Sequence, residues 1–174
     1  MFDKIKQRFR DMRTISALCL GAEKHANADG QKEPGAEHFV LAALELPDGT
    51  ARKALERLHV NPNNYRAAIA QQYEEALKSV GITLPPGGAT RDDTLAVPCG
   101  KGIYQAQASA QALMQRLAKQ HQADTDTPLL GAHVLQAIAA AQYGVAVRAL
   151  RAAGADLALL AEAATAEINA WKRA

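Results

Sequence analysis

The sequence predicts an all-α protein in which two similar four-helix units are joined by a linker. The first observation is an internal repeat: residues 49–61 return as residues 144–156, and the aliphatic run at 40–44 returns at 134–138. Such self-similarity is typical of scaffolds made from repeated helical units. The second observation is composition. Aromatic residues make up only 5% of the chain while alanine is abundant, which favours closely packed helices over a β-sandwich. We therefore expect an eight-helix double repeat with pseudo-twofold symmetry.

Length, charge and cysteine content limit the possible functions. The 174 residues fit one compact domain or two small lobes, and 48% hydrophobic residues are enough for a core. The net charge of +2 is too small to indicate nucleic-acid binding. No apolar run approaches the roughly 20 residues that cross a bilayer, and the N-terminus lacks the apolar segment of a secretory signal. Cys19 and Cys99 do not have the spacing of a metal or redox pair. These features predict a cytoplasmic protein.

The opening helix of the first unit, which is predicted at residues 1–80, has two interpretations. Apolar residues recur at intervals of three and four among basic ones, as in helices that lie on membranes or dock to partners. The same pattern fits an N-terminal helix packed on its own domain. Because the stripe continues into Leu18, Leu20 and Ala22, we expect the packed helix. The apolar residues are Phe2, Ile5, Phe9, Met12, Ile15 and Leu18, and the basic residues are Lys4, Lys6, Arg8, Arg10 and Arg13.

Turn signals divide the rest of the first unit. Gly30 and Pro34 end the first helix, and the Pro-Asp-Gly turn at 47–49 separates the next two. The further predicted helices are 35–46, 50–58 with Thr50 as its N-cap, and one that opens near Pro62 and runs to Val80.

The second unit repeats this plan after a linker. Residues 81–100 contain three prolines and four glycines, which is typical of a connecting segment. The second unit is then predicted at residues 101–174. Its helices are predicted at 103–120, 129–141, 145–153 and 157–171, the last with Asp156 as N-cap.

The order of these motifs resembles the double repeat of Clp N-terminal domains, the recognition domains at the front of ClpA, ClpB and ClpC unfoldases. The first unit has Pro34-Gly-Ala-Glu-His38 before its aliphatic run, then a Gly49-x-Ala51 turn and a segment ending Leu58-x-Val60-Asn61. The family has a Gly-Thr-Glu-His start, an aliphatic run and a Gly-Val-Ala-Ala turn helix that ends in Leu-Gly-Val-Asp. The resemblance covers residues 11–170 or so, and the pattern occurs twice in the same order.

The resemblance implies a non-catalytic module that binds adaptors, substrates or peptides. The sequence contains no Gly-x-x-x-x-Gly-Lys-Ser/Thr loop to cradle a nucleotide phosphate, so we expect the module to work without an ATPase motor of its own. In some ClpC proteins the Glu of the Gly-Thr-Glu-His motif helps to bind phosphorylated arginine in both repeats. Glu37 occupies the first such position, but Ala36 replaces the Thr, and residues 128–133 of the second repeat contain no Glu. We therefore do not expect a two-site phosphoarginine reader, and predict Glu37 to be a first-turn carboxylate favoured by the helix dipole.

The sequence shows no complete catalytic or metal-binding pattern. His38 and His133 each lie near the start of the second helix of a repeat, and a metal site using both would need the two halves to converge. We expect each His instead to cap or pack within its own unit. No His-Glu-x-x-His or Gly-x-Ser-x-Gly motif occurs. The sequence therefore predicts no enzyme activity, no cofactor, no metal and no nucleic-acid partner.

The predicted function is recognition of a protein or peptide in the Clp system, as an adaptor, a decoy or a substrate-recognition domain. The partner is expected in the groove between the repeats or at the helix starts near Glu37, as a helix in a groove. Two alternatives remain: a type VI secretion partner that grips a helix of a sheath-like protein, and a membrane-surface protein that uses the stripe at Phe2, Ile5 and Phe9. The sequence identifies neither the partner nor the oligomeric state. The predicted contact residues are Glu37, His38, His133 and Tyr104.

Overall fold

A computed structural model describes residues 2–81, 105–124 and 127–173, with side chains from residue 6 onward. The described part of the chain is entirely helical apart from turns and loops, as predicted, and contains eight helices. They are α1 (Phe2–Ala28), α2 (Ala36–Glu45), α3 (Thr50–Arg57), α4 (Asn64–Ser79), α5 (Ala108–Ala123), α6 (Gly131–Ala139), α7 (Val145–Ala152) and α8 (Leu157–Lys172). Most of the predicted linker falls outside the described residues, so the division into units at 81–100 stays a prediction.

The fourth, fifth and sixth helices start two or more residues later than predicted, and the fourth and fifth have a visible local cause. The fourth starts at Asn64 because the Asn61 side chain accepts a hydrogen bond from the Asn63 N–H (2.9 Å), which holds residues 61–63 in a turn. The fifth was expected from residue 103 but starts at Ala108. Just before it, the Gln107 side-chain amide donates to Gln31 Oε1 (2.7 Å), so side-chain bonds to the first unit fix the extended residue ahead of the helix.

The two units interlock about the pseudo-twofold axis. The short helix α3 of the first unit packs against α8 of the second, and α7 packs in the equivalent way against α4. In the centre α2 packs against α6. Every residue of α2 except Glu45 is buried, as expected of a helix surrounded by others. The apolar side chains of both units therefore form one continuous core.

The start of α6 is capped by the opposite unit. Asp48 Oδ2 accepts a hydrogen bond from the Gly131 N–H (3.2 Å), and Thr50 Oγ1 accepts one from the Ala132 N–H (2.9 Å). Asp48 Oδ1 in turn accepts from the Thr50 N–H (2.8 Å). Thr50 was predicted to cap its own helix, but that N-cap is Gly49, which has a left-handed φ of 65°. Two donors at the N-terminus of α6 thus find their acceptors some 80 residues away in sequence, which the local pattern does not reveal.

Both short helices end in the same motif. At the end of α3 the Val60 N–H donates to Leu55 O (3.1 Å), and at the end of α7 the Ala155 N–H donates to Leu150 O (2.9 Å). These are the long hydrogen bonds of a Schellman motif, which requires a left-handed residue one position earlier. That residue is Gly154 (φ 96°) in the second unit but His59 (φ 55°) in the first.

The apolar residues of α1 do not form one continuous stripe. Because each residue of an α-helix turns by about 100°, three successive steps of three residues rotate the side-chain direction by about half a turn. Accordingly, Phe9 is 64% exposed, Met12 66%, Ile15 38% and Leu18 0%. Leu18 and Ala22 pack into the core as expected, but Leu20 is 60% exposed. The prediction of a single stripe running into the core was therefore wrong, since Phe9, Met12 and Leu20 face away from it.

Candidate partner-binding groove

An open groove of about 1000 Å³ lies on the second unit. It is lined by residues of α6 and α8, by the last turn of α5 and by the loop from Ala140 to Tyr143. Alanines dominate its floor, with Leu157 and Ile168 as the larger apolar members. Its remaining lining is mostly uncharged and polar, namely Gln120, Gln136, Gln142, Tyr143, Thr165 and Asn169.

Comparison of the two units explains why the second has a groove. Equivalent residues lie 95 positions apart, as Gly49 and Gly144 or His38 and His133 do. The second unit carries alanine at four groove positions where the first has larger residues. Alanine at these positions leaves the space between the helices open. The pairs are Leu44 and Ala139, Glu45 and Ala140, Leu46 and Ala141, and Arg66 and Ala161.

In the first unit this space holds a polar network. The Arg66 guanidinium donates to the ring nitrogen Nδ1 of His25 and lies 3.3 Å from Asp29 Oδ1. The second ring nitrogen of His25 lies 3.2 Å from Glu45 Oε1. Burial lowers the pKa of His25, and the neighbouring Arg66 charge acts in the same direction against the opposing pull of Glu45. The neutral imidazole can then accept the bond from Arg66.

The second unit has the same acid but not the arginine. Asp124 is the equivalent of Asp29, and alanine stands at position 161. Asp124 pairs instead with Lys172 near the end of α8, with its Oδ2 2.7 Å from Nζ. The ion pair joins the end of α5 to α8 beside the groove. The space that the Arg66 guanidinium fills in the first unit is part of the groove in the second.

Two polar groups of the groove are available to a ligand. Gln120 Oε1 is buried without a hydrogen-bond partner among the described residues. Arg151, an exposed residue at the edge, has no ion-pair partner in the described part of the chain. Beside these groups Tyr143 is 86% exposed. A buried acceptor, an unpaired guanidinium and an exposed aromatic ring form a surface suited to a peptide with both polar and apolar groups.

The structure places His133 beneath the groove rather than on its rim. It is the third residue of α6, and its Nδ1 accepts a hydrogen bond from the Leu130 N–H (3.1 Å), which completes the cap of this helix. Burial lowers the pKa of His133 despite the nearby Asp124 carboxylate. The ring lines the groove but is only 6% exposed.

His38 has the same role in the first unit. Its Nδ1 accepts from the Gly35 N–H (2.9 Å) at the start of α2. Since that nitrogen accepts, the proton of the neutral ring is on Nε2, which lies 3.3 Å from Asp29 Oδ2. The repeated His is therefore a repeated helix cap, in line with the expectation that each His serves its own unit.

Glu37 is also internal. It is 1% exposed and accepts a hydrogen bond from the Tyr73 hydroxyl (2.6 Å). Burial and this bond to Glu37 raise the pKa of Tyr73 well above its usual range, so the phenol keeps its proton and its bond to Glu37 into the alkaline range. The carboxylate lies in the first turn of α2, as predicted from the helix dipole.

The four predicted contact residues are thus not brought together at one surface. Glu37 and His38 lie inside the first unit and His133 lies under the groove of the second, while Tyr104 is outside the described residues. Their assignment to partner binding stays a prediction. Sequence reasoning missed the alanines of the floor and Tyr143, although a residue-by-residue alignment of the repeats would have revealed the replacement of Arg66 by Ala161.

The described residues hold no group of three or more His, Cys, Asp or Glu that could bind a metal ion. Within the same ranges, none of the helices has the length and apolar character of a membrane span.

Residues 16–92 match the family model of the Clp repeat (R) N-terminal domain. The match begins in α1 and includes α2, α3 and α4, that is, the helices of the first unit. No curated protein matches the chain. The matched family consists of non-catalytic helical-repeat domains that bind substrates and other proteins in Clp-type chaperone and protease systems. The recurrence of the same caps and turns in the second unit agrees with a double repeat. Residues 16–92, the larger part of the first unit, are therefore similar to the Clp repeat (R) N-terminal domain.

Proposed function

We propose that this protein is a non-catalytic module that binds a protein or peptide segment in a Clp-type chaperone–protease system, as an adaptor, a decoy or a substrate-recognition domain. The observation that carries the proposal is the groove of the second unit, which exists because alanine replaces Arg66 and its large neighbours. Its volume of about 1000 Å³ suits a ligand larger than a typical metabolite.

The shape and chemistry of the groove favour a peptide. The groove follows α8, whose 16 residues span about 24 Å. Apolar side chains of a peptide would cover the alanine floor, and the glutamines and Asn169 would hydrogen-bond its main chain. The buried Gln120 Oε1 would gain a donor, which offsets the cost of an unmet acceptor.

The internal residues support this surface from below. His133 fixes the first turn of α6, which forms one wall of the groove, and His38 with Glu37 does the same for α2, against which α6 packs. We propose that these residues act by holding the helix starts in place. A variant at His38 would then weaken binding only together with folding stability.

The repeat itself offers a variant that closes the groove. Ala161→Arg restores the residue of the first unit, where Arg66 lies beside Asp29, and would direct a guanidinium toward Asp124. The matched control is Ala166→Arg, which adds the same charge on the same helix but at a residue that does not line the groove.

The binding assay uses the wild-type protein and both variants, immobilised for biolayer interferometry. The probes are a purified Clp unfoldase, its adaptor, and reduced carboxymethylated α-lactalbumin as an unfolded substrate. We expect binding to at least one probe, loss of that binding in Ala161→Arg, and retention in Ala166→Arg. In a degradation assay with the cognate protease, an adaptor raises the rate and a decoy lowers it. Absence of binding to all three probes, or equal binding by both variants, would contradict the proposal.

A further inference from the structure

The outward side of α1 presents a second surface, unconnected with the groove. The outer face of α1 consists of Phe9, Met12 and Leu20, with the cations Lys6, Arg8, Arg10 and Arg13 around the first two. All three apolar side chains are at least 60% exposed. Among the eight helices the main chain of α1 packs closely only on that of α2, and these three apolar side chains are turned away from the body of the protein.

The charges of this segment are sorted between the two sides of the helix. Asp11 is the only acid between residues 6 and 13, and it points inward, where it is 7% exposed. Its Oδ1 accepts from the Leu129 N–H (2.8 Å) and its Oδ2 lies 3.0 Å from His121 Nε2. None of the four cations has an ion-pair partner among the described residues. Between residues 6 and 13 the outer face is therefore apolar and cationic, and the next acid along the sequence is Glu23.

The apolar part of the face is narrow. Phe9, Met12 and Leu20 follow the spacing i, i+3 and i+11, so they form a seam about one side chain wide and about 16 Å long. A seam of this width matches the ridge of another helix, whereas a helix that lies in a membrane surface needs a wide apolar face. Cations beside the seam occupy the positions that select a partner by charge in paired helices.

We propose that the outer face of α1 docks an amphipathic helix of a partner protein that carries acidic residues beside its apolar stripe. Charge complementarity selects this occupant, because a second copy of the chain would bring cations against cations. This docking surface lies on the first unit and does not depend on the peptide-binding role proposed for the groove of the second.

The test uses two synthetic helical peptides of about 21 residues, three heptads long. Both have the same leucine and isoleucine seam, but one has glutamate and the other lysine at the flanking positions. Affinity for the whole protein is measured by fluorescence anisotropy at low and high salt. We expect the glutamate peptide to bind at least about tenfold more tightly than the lysine peptide, with the difference shrinking as salt rises.

Two double variants separate the contributions of the seam and of the charges. The variant Phe9→Ser with Met12→Ser should abolish binding. The variant Arg8→Glu with Arg13→Glu should remove the preference for the glutamate peptide, because two glutamates then balance the remaining Lys6 and Arg10. The control pairs Leu159→Ser with Lys53→Glu, which changes an exposed leucine and a cation on other helices, and should bind as the wild type does. Circular dichroism checks that each variant is folded, and the substituted positions are exposed, so folding should persist.

Three results would overturn the proposal. The first is equal affinity for both peptides, or binding that the two double variants do not change. The second is concentration-dependent dimerisation in sedimentation equilibrium that Phe9→Ser with Met12→Ser abolishes, since the occupant would then be a second copy. The third is binding to vesicles of phosphatidylserine and phosphatidylcholine in the absence of binding to either peptide, since the occupant would then be a membrane.

Discussion

Removal of the Asp48 carboxylate tests how strongly one unit depends on the other for its helix cap. Asp48→Ala deletes the acceptor for the Gly131 N–H at the start of α6, and also the acceptor for the Thr50 N–H. The Thr50 hydroxyl donates a third hydrogen bond to Asp48 while it accepts one from the Ala132 N–H. In Asp48→Ala the hydroxyl loses the acceptor that fixes its orientation. The substitution therefore affects three hydrogen bonds at the boundary between the units.

The expected cost follows from these bonds. Replacing an Asp cap by Ala costs about 0.5–2 kcal/mol, and loss of the second backbone bond adds about 1 kcal/mol. Because Asp48 is only half-buried, we do not add a further term for its charge. The free energy of unfolding should fall by about 1.5–3 kcal/mol, which corresponds to a Tm lower by about 3–12 °C for a protein of this size.

The control is Asp156→Ala. Asp156 also caps a helix, with Oδ1 accepting from the Ala158 N–H (2.8 Å) and the Leu159 N–H (3.1 Å), but it is exposed and all its partners belong to α8. This variant should cost about 1 kcal/mol. Both are measured by urea unfolding followed by circular dichroism, with m-values compared. If Asp48→Ala costs no more than Asp156→Ala, the bonds between the units do not contribute as we argue.

Three further predictions concern single side chains. Burial lowers the pKa of His133 below its ordinary 6.5, so the unfolded chain takes up a proton at a higher pH than the folded protein does. The contribution of the neutral His133 to stability is therefore complete above pH 6.5 and is lost as the pH falls from there to the folded-state pKa. His133→Gln keeps an N3 acceptor for the cap, so its unfolding free energy should fall less than that of the wild type between about pH 7.5 and 5.5. His59→Gly should stabilise the protein by about 1 kcal/mol, because His59 has a left-handed φ, and Gly154→Ala should cost at least about as much at the equivalent position. Tyr73→Phe should cost about 1.5–3 kcal/mol, because it removes the hydroxyl that bonds the buried Glu37.

Each of these predictions has an outcome that would contradict it. A pH dependence unchanged in His133→Gln would mean that His133 does not titrate differently in the two states. Destabilisation by His59→Gly would show that the imidazole makes contacts that outweigh its backbone strain. A neutral effect of Tyr73→Phe would indicate that Glu37 is satisfied by other donors, and the double variant with Glu37→Gln would then show no coupling.

Local patterns were sufficient to predict most of the helices and one cap. Asp156 precedes an apolar run and caps the helix that follows, since both groups of that bond lie within three residues of each other. Thr50 has the same local signature, but its hydroxyl accepts from Ala132 in the opposite unit. A sequence pattern describes donors and acceptors near each other in the chain, so it could not identify a partner that only the packing of α6 against α3 provides.

The helical spacing of α1 was interpreted correctly as a helix and incorrectly as a single face. Intervals of three and four maintain one face only when they alternate, and the three successive intervals from Phe9 to Leu18 rotate it by about 180°. The groove could not be found from reactive or charged residues, because it is defined by small ones. Ala139 and Ala161 help to form the groove because their side chains are small and leave space. They carry no reactive or charged group by which a sequence pattern could identify them.

The interlocked arrangement of α3 with α8 and α7 with α4 is that of a twofold homodimer whose two subunits are joined in one chain. Two identical subunits would carry every substitution twice and would form two grooves or none. Fusion into one chain removes that constraint, so an arginine can stay at position 66 while alanine stands at 161. The expected stoichiometry at the groove is therefore one ligand per chain, held on one side of an otherwise nearly symmetric body.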